Sequence, residues 1–164
     1  MTNHRVGSRK LLERRVVASL VSVDGLAALT WAAAGGCRSQ SRSPTDCENI
    51  RAWFETHMPE LTRDLSTKKV NDFARNAQYA RYEKGDYVVK QDDIADHFYI
   101  TLTGTMEVYV RNFQNNKSIN VMRAGQCFGE VGLLRHNKRT SSVVASSTVE
   151  LVVCDAALFK RVFK

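Results

Sequence analysis

The chain predicts an α+β fold: an antiparallel β-roll (jelly-roll-like) of about eight short strands, preceded by a helical subdomain and followed by one helix. Three observations predict it. Apolar residues recur at helical spacing from residue 46 to about 77. From Tyr79 the period changes to two, in short runs separated by turns that contain Gly or Asn. After Asp155 the helical period returns. No internal repeat is visible.

The elements follow in order. Ile50, Trp53, Phe54 and Met58 mark one face of a first helix, and Pro59 interrupts it because proline cannot donate to the preceding turn. Leu61 and Leu65 lead into a second helical segment with Val70, Phe73, Ala74 and Ala77 on one side. Ser66 is its N-cap, but Lys69 stands where a full capping box needs an acid or amide. Strands are expected at 79–83, 86–90, 97–103, 105–111, 117–123, 140–146 and 148–154, with 112–116 as a hairpin tip carrying Phe113. Asp155 caps the last helix, 155–163, whose apolar side is Leu158, Phe159 and Val162.

Composition bounds the function. The 164 residues are 43% hydrophobic and 25% charged, an ordinary soluble balance with room for one domain and an extension. The net charge of +7 is unevenly placed: residues 1–45 hold seven Lys/Arg against two acids, whereas 46–164 hold 17 against 15. The basicity belongs to the arm, so the folded part lacks the signature of a nucleic-acid binder. The division expected is an arm and linker over 1–45 and a domain over 46–164, with helices at 46–77, the roll at 79–154 and the last helix at 155–163.

The arm has a basic start (5–15), an apolar middle (16–34) and small residues before Cys37, the layout of a secretory signal. Asp24 and Gly25 interrupt the apolar middle and argue against both a signal and a membrane span. A disordered or weakly helical arm is expected, with targeting, membrane contact or a misplaced chain start as alternatives. The Ser/Arg/Pro stretch 38–44 reads as linker.

Cys37, Cys47, Cys127 and Cys154 form no C-x-x-C pair. Cys127 and Cys154 lie in apolar strand contexts and read as buried thiols, which favours a reducing, cytoplasmic setting. His4, His57, His97 and His136 are isolated, so no cofactor or metal site is expected. No Walker-type lysine and no Ser/His/Asp set stands at a strained turn, so the chain reads as a non-enzyme.

The run 125–144 carries the chemistry. Gly125 and Gly129 lead into a short apolar stretch with one acid, Glu130; a polar loop follows, then Arg139, then a β-branched strand from Thr140. Small residues let backbone N–H groups approach an anion, and a guanidinium matches phosphate oxygens with its planar fork. A lone carboxylate accepts hydroxyl protons such as those of a sugar. Phosphate and sugar hydroxyl together mean a nucleotide. The plain alternatives are a solvated basic turn for Arg139 beside Arg135, His136 and Lys138, and a helix-capping acid for Glu130. Gly85 and Gly104 read as turn glycines.

The run Phe128-Gly129-Glu130-Val131-Gly132-Leu133, with Arg139-Thr140-Ser141 nine residues after the acid, resembles the phosphate-binding cassette of cyclic nucleotide-binding domains. So do Lys84–Gln91 and Phe98–Gly104 upstream, and the resemblance covers roughly residues 60 to 164. It implies a sensor of cyclic GMP or cyclic AMP. Arg139 would hold the exocyclic phosphate oxygens and Glu130 the ribose 2′-hydroxyl. Gly129, Val131, Gly132, Leu133, Thr140 and Ser141 would complete the site. A hydroxyl directly after the arginine inclines the choice toward cyclic GMP. Occupancy would pull the cassette inward and let Leu158, Phe159 and Val162 swing against it, passing the signal to an effector protein or domain.

Two departures stand out. Asp92-Asp93 follow Gln91 where the family usually has Gly, and Asp tolerates a left-handed turn. The chain stops at Lys164, where the family continues into a lid helix over the base. The alternative is therefore a degenerate module that keeps the fold for protein contact without nucleotide. A DNA-binding regulator would need a helix-turn-helix after the roll, and none stands before Lys164.

Overall fold

The computed structural model describes residues 42–111 and 117–164. Residues 1–41 of the arm, with His4 and Cys37, and the expected hairpin tip at 112–116 lie outside the described residues; Ser43 and Pro44, expected in the linker, instead cap and open the first helix.

Helix α1 runs from Pro44 to His57, two residues earlier than its apolar pattern begins. Ser43 and Asp46 form a reciprocal capping box at its start, with Pro44 in the first turn where a missing N–H costs nothing. Met58 ends it and Pro59 opens the short α2 (Pro59–Thr62). Helix α3 (Thr67–Asn76) starts at Ser66, whose hydroxyl accepts from the Lys69 N–H at 3.4 Å.

The strands are β1 (Gln78–Tyr82), β2 (Tyr87–Val89), β3 (His97–Thr103), β4 (Thr105–Tyr109), β5 (Asn120–Arg123), β6 (Cys127–Phe128), β7 (Ser142–Ala145) and β8 (Val149–Asp155). Their centres match the expected runs, with ends one to three residues shorter in most. β6 was not anticipated; two residues are too short to show alternation, and pairing with Tyr99 and Ile100 creates it. Two antiparallel four-stranded sheets result, in the orders β1-β8-β3-β6 and β2-β7-β4-β5. Helix α4 (Ala156–Phe163) follows β8 directly, capped by Asp155, whose carboxylate accepts from the Leu158 N–H at 2.7 Å.

Strand alternation sorts the apolar residues into two cores. Phe98, Ile100 and Leu102 of β3 and Val152 and Cys154 of β8 point to the helices, where they meet Phe54, Phe73 and Phe159. Tyr99, Val149, Leu151 and Val153 point the other way, into the space between the sheets with Met106, Met122 and Val143. This two-sided burial explains the unbroken apolar run Leu151–Cys154 within β8. Asp72 of α3 binds Arg161 of α4 through two contacts, at 2.5 and 3.1 Å, tying the C-terminal helix to the helical subdomain.

Candidate functional site

The site grows from the segment between β6 and β7. Gly129 has φ +96°, a left-handed backbone that disfavours any side chain. A Cβ there would also stand 2.8 Å from Arg139 Nη1 and 2.8 Å from the His97 carbonyl oxygen. Glu130 and Val131 begin a helical turn that continues as a π-type turn, Gly132–His136, closed by the Asn137 N–H on the Gly132 carbonyl at 2.8 Å. Gly132 has a packing reason of its own: a Cβ would meet Ala95 Cβ at 2.4 Å and the Lys138 carbonyl at 2.7 Å.

The return leg is clamped to the loop before β3. Arg139 N–H donates to the Asp93 carbonyl at 2.8 Å, and Asp92 N–H donates to the Arg139 carbonyl at 2.9 Å. Asp92 takes φ +71°, the left-handed turn expected of it where glycine is usual. This clamp delivers the Arg139 side chain inward.

Arg139 is only 5% exposed. Nη1 donates to the His97 carbonyl at 2.8 Å and the Gly129 carbonyl at 3.3 Å, while Nη2 meets Asp96 Oδ1 at 3.3 Å. The guanidinium also sits 5.4 Å from the centre of the Tyr99 ring, which stacks on Phe128. A buried guanidinium is tolerable because carbonyls and one carboxylate share its charge. Burial disfavours the Asp96 charge, but the hydrogen bond from the His97 ring, with help from Arg139, holds this carboxyl below its usual range. Burial pushes the Tyr99 phenol up to about 12 against the opposing pull of Arg139.

Arg139 faces a cavity of about 220 Å³. Of the eight ligand residues expected from the sequence, seven line it: Gly129, Glu130, Val131, Gly132, Arg139, Thr140 and Ser141. Leu133 does not. It is 7% exposed and lies in the helix-side core, in the same apolar cluster as Leu158, Phe159 and Val162. Those three are buried at 3%, 2% and 0% exposure, with the Phe159 ring 5.0 Å from Phe98. The opposite wall (Val89, Val108, Asn120, Met122 and Val143) was not singled out from the sequence. Strand alternation signals inward residues, but not which of them meet the cassette. Cys127 and Phe128 complete the lining; Cys127 is half-buried rather than the buried thiol expected, and desolvation, then the nearby Glu130 charge, pushes its thiol up to about 12. Ser142 turns away, its hydroxyl accepting from the Gln91 N–H at 2.9 Å.

Among the described residues, no group of three or more His, Cys, Asp or Glu is placed to hold a metal ion. Among them also, no helix is long and apolar enough to cross a membrane.

The two-sheet roll thus brings a buried arginine and an acid of the β6–β7 segment to one small cavity. The chain belongs to the cyclic nucleotide-binding domain family, whose sequence model matches residues 79–164. It is 31% identical over 109 residues to a cGMP-dependent protein kinase of Toxoplasma gondii, covering 66% of this chain and 10% of that kinase. A cGMP-dependent protein kinase of Eimeria tenella is 28% identical over 155 residues, 93% of this chain and 14% of that kinase. Among solved structures, the regulatory domain of Toxoplasma gondii PKA with cAMP superposes with a TM-score of 0.63 at 19% identity, covering 71% of this chain and 44% of the other. The chain thus spans a seventh or less of the two curated kinases.

Proposed function

We propose that this chain is a regulatory sensor domain, without catalysis of its own, that binds cyclic GMP or cyclic AMP in the cassette 128–141. The observation that carries the reading is the buried Arg139 guanidinium facing the cavity, with Glu130 on the same rim. Arg139 and cassette N–H groups neutralise the cyclic phosphate, and Glu130 accepts from the ribose 2′-hydroxyl. Ligand pockets commonly measure about 300–1,000 Å³. The smaller cavity therefore suits phosphate and sugar, with the base over its mouth against Asn120 and Thr140. Thr140 there favours cyclic GMP.

Leu133 supports a relay to the last helix. It sits on the cassette but packs in the core that holds Leu158, Phe159 and Val162. A cassette drawn in by ligand moves Leu133, and the helix follows, provided nucleotide favours the moved state. The output passes to an effector protein or domain; the kinases among the relatives support one of that class. The domain is taken as residues 46–164 and its setting as cytoplasmic.

The test is a calorimetric titration of the full chain with cyclic GMP and cyclic AMP, beside Arg139→Ala. Saturable binding lost in a folded Arg139→Ala supports the reading, and the tighter ligand decides what Thr140 contributes. No heat with either nucleotide would point to the degenerate module instead.

A further inference from the structure

His97 touches Arg139 through both of its ends. Its backbone carbonyl accepts from Nη1 at 2.8 Å. Its ring Nδ1 lies 2.8 Å from Asp96 Oδ1, the same oxygen that Arg139 Nη2 meets at 3.3 Å. A carboxylate can only accept, so Nδ1 carries a proton here, in the neutral tautomer or in the imidazolium. The His97 side chain is 33% exposed and that of Asp96 62%, so solvent protons reach the pair.

Asp96 is adjacent to this ring; Tyr99 stands along β3, with ring centres 6.3 Å apart; Arg139 arrives from the cassette. Asp155 is the ladder partner on β8, and its carboxylate is engaged in capping α4. Of these types only an imidazole ordinarily titrates between about pH 5 and 8. A cyclic phosphodiester keeps one negative charge across that range, so the ligand does not titrate with it.

With a neutral ring, Asp96 Oδ1 is shared between imidazole and guanidinium. An imidazolium gives Asp96 a counter-charge of its own, loosens its hold on Arg139, and adds positive charge beside the anion site. We propose that His97 is a positioning residue that links the anion site to protons: its protonation frees the Arg139 guanidinium for phosphate, so cyclic nucleotide binds more tightly at about pH 6 than at about pH 8. This rests on the reading of Arg139 as the phosphate contact. Because the pair is partly exposed, the expected gain is about three- to fivefold in affinity.

The experiment titrates the full chain, as wild type and as His97→Gln, with cyclic GMP and cyclic AMP at about pH 6 and 8, and checks folding by thermal melting. Expected is a three- to fivefold tighter wild-type affinity at the lower pH that becomes flat in His97→Gln. His4, His57 and His136 remain in that variant, so a dependence arising from them would persist. If His97→Gln does not melt cooperatively, His97→Asn is judged by the same criterion. A flat wild-type profile, or an unchanged dependence in the folded variant, overturns the proposal while leaving nucleotide binding intact. No binding at either pH overturns both this proposal and the nucleotide reading.

Discussion

Gly129 and Arg139 compete for one space: a Cβ on the glycine would lie 2.8 Å from the Nη1 atom of the arginine. That contact makes the glycine a steric condition for the arginine's position. Gly129→Ala is expected to displace the guanidinium from the His97 carbonyl and to strain a backbone at φ +96°. Melting should show a loss of about 1–3 kcal/mol. Nucleotide titration should show affinity falling by more than that strain alone accounts for. Wild-type affinity in the alanine variant would remove Gly129 from the site.

Arg139→Lys separates charge from geometry. A lysine keeps the positive charge but cannot span the His97 carbonyl, the Gly129 carbonyl and Asp96 with one ammonium. Removing a desolvated charge-assisted contact costs about 2–5 kcal/mol of binding, and most of that loss is expected even with lysine. Calorimetry at one pH decides it; near-wild-type affinity would mean that charge alone suffices.

Phe159→Ala should destabilise the folded chain by about 3–5 kcal/mol, because its ring is 2% exposed and packs 5.0 Å from Phe98. Leu133→Ala, in the same core but on the cassette, should cost about 2–5 kcal/mol and also weaken nucleotide binding. Equal binding in a folded Leu133→Ala would break the proposed link between cassette and helix.

The Asp72–Arg161 bridge makes stability acid-sensitive. The hydrogen bond from Arg161 is the main cause that holds the Asp72 carboxyl below its usual range. A depressed carboxyl contributes stability that is present above its unfolded value of about 3.9 and is lost as pH falls through the lower folded value. Melting temperature should therefore drop below about pH 4. In Asp72→Asn that part of the drop should vanish, with the neutral-pH stability lowered. An unchanged acid limb in the variant would show that the bridge contributes nothing.

Cys127 and Cys154 should resist alkylation in the native state. Burial is the largest cause that pushes both thiols up to about 12, so little thiolate exists near neutral pH. Mass mapping after brief iodoacetamide treatment should find both modified only after unfolding. Rapid native labelling of Cys127, which is half-buried on the cavity wall, would instead mean that its thiolate is more populated than this desolvation allows.

Much of the fold was legible because its signals are local. The change of period at Tyr79, the caps at Ser66 and Asp155, and the break at Pro59 each depend on neighbours within a few residues, and each appears where expected. The cassette was legible for the same reason, since Gly129, Glu130 and Arg139 lie within eleven consecutive positions. β6 was not, because two residues carry no period of their own. Leu133 looks like a pocket residue from its place in the run, yet within the π-type turn it lies in the helix-side core.

What the residues determined unaided was the order of elements, the alternation that makes two cores, and the acid and arginine of the cassette. Those follow from local backbone preference and hydrophobic period. Only the tertiary structure decided that Arg139 lies buried against the His97 carbonyl and Asp96, that Asn120 and Met122 face the cassette, and that Leu133 shares a core with Phe159. These contacts join positions 42 and more residues apart in the case of Arg139, and strand pairing and register set them. Sheet register is a sum over the whole roll, so no local window of sequence contains it.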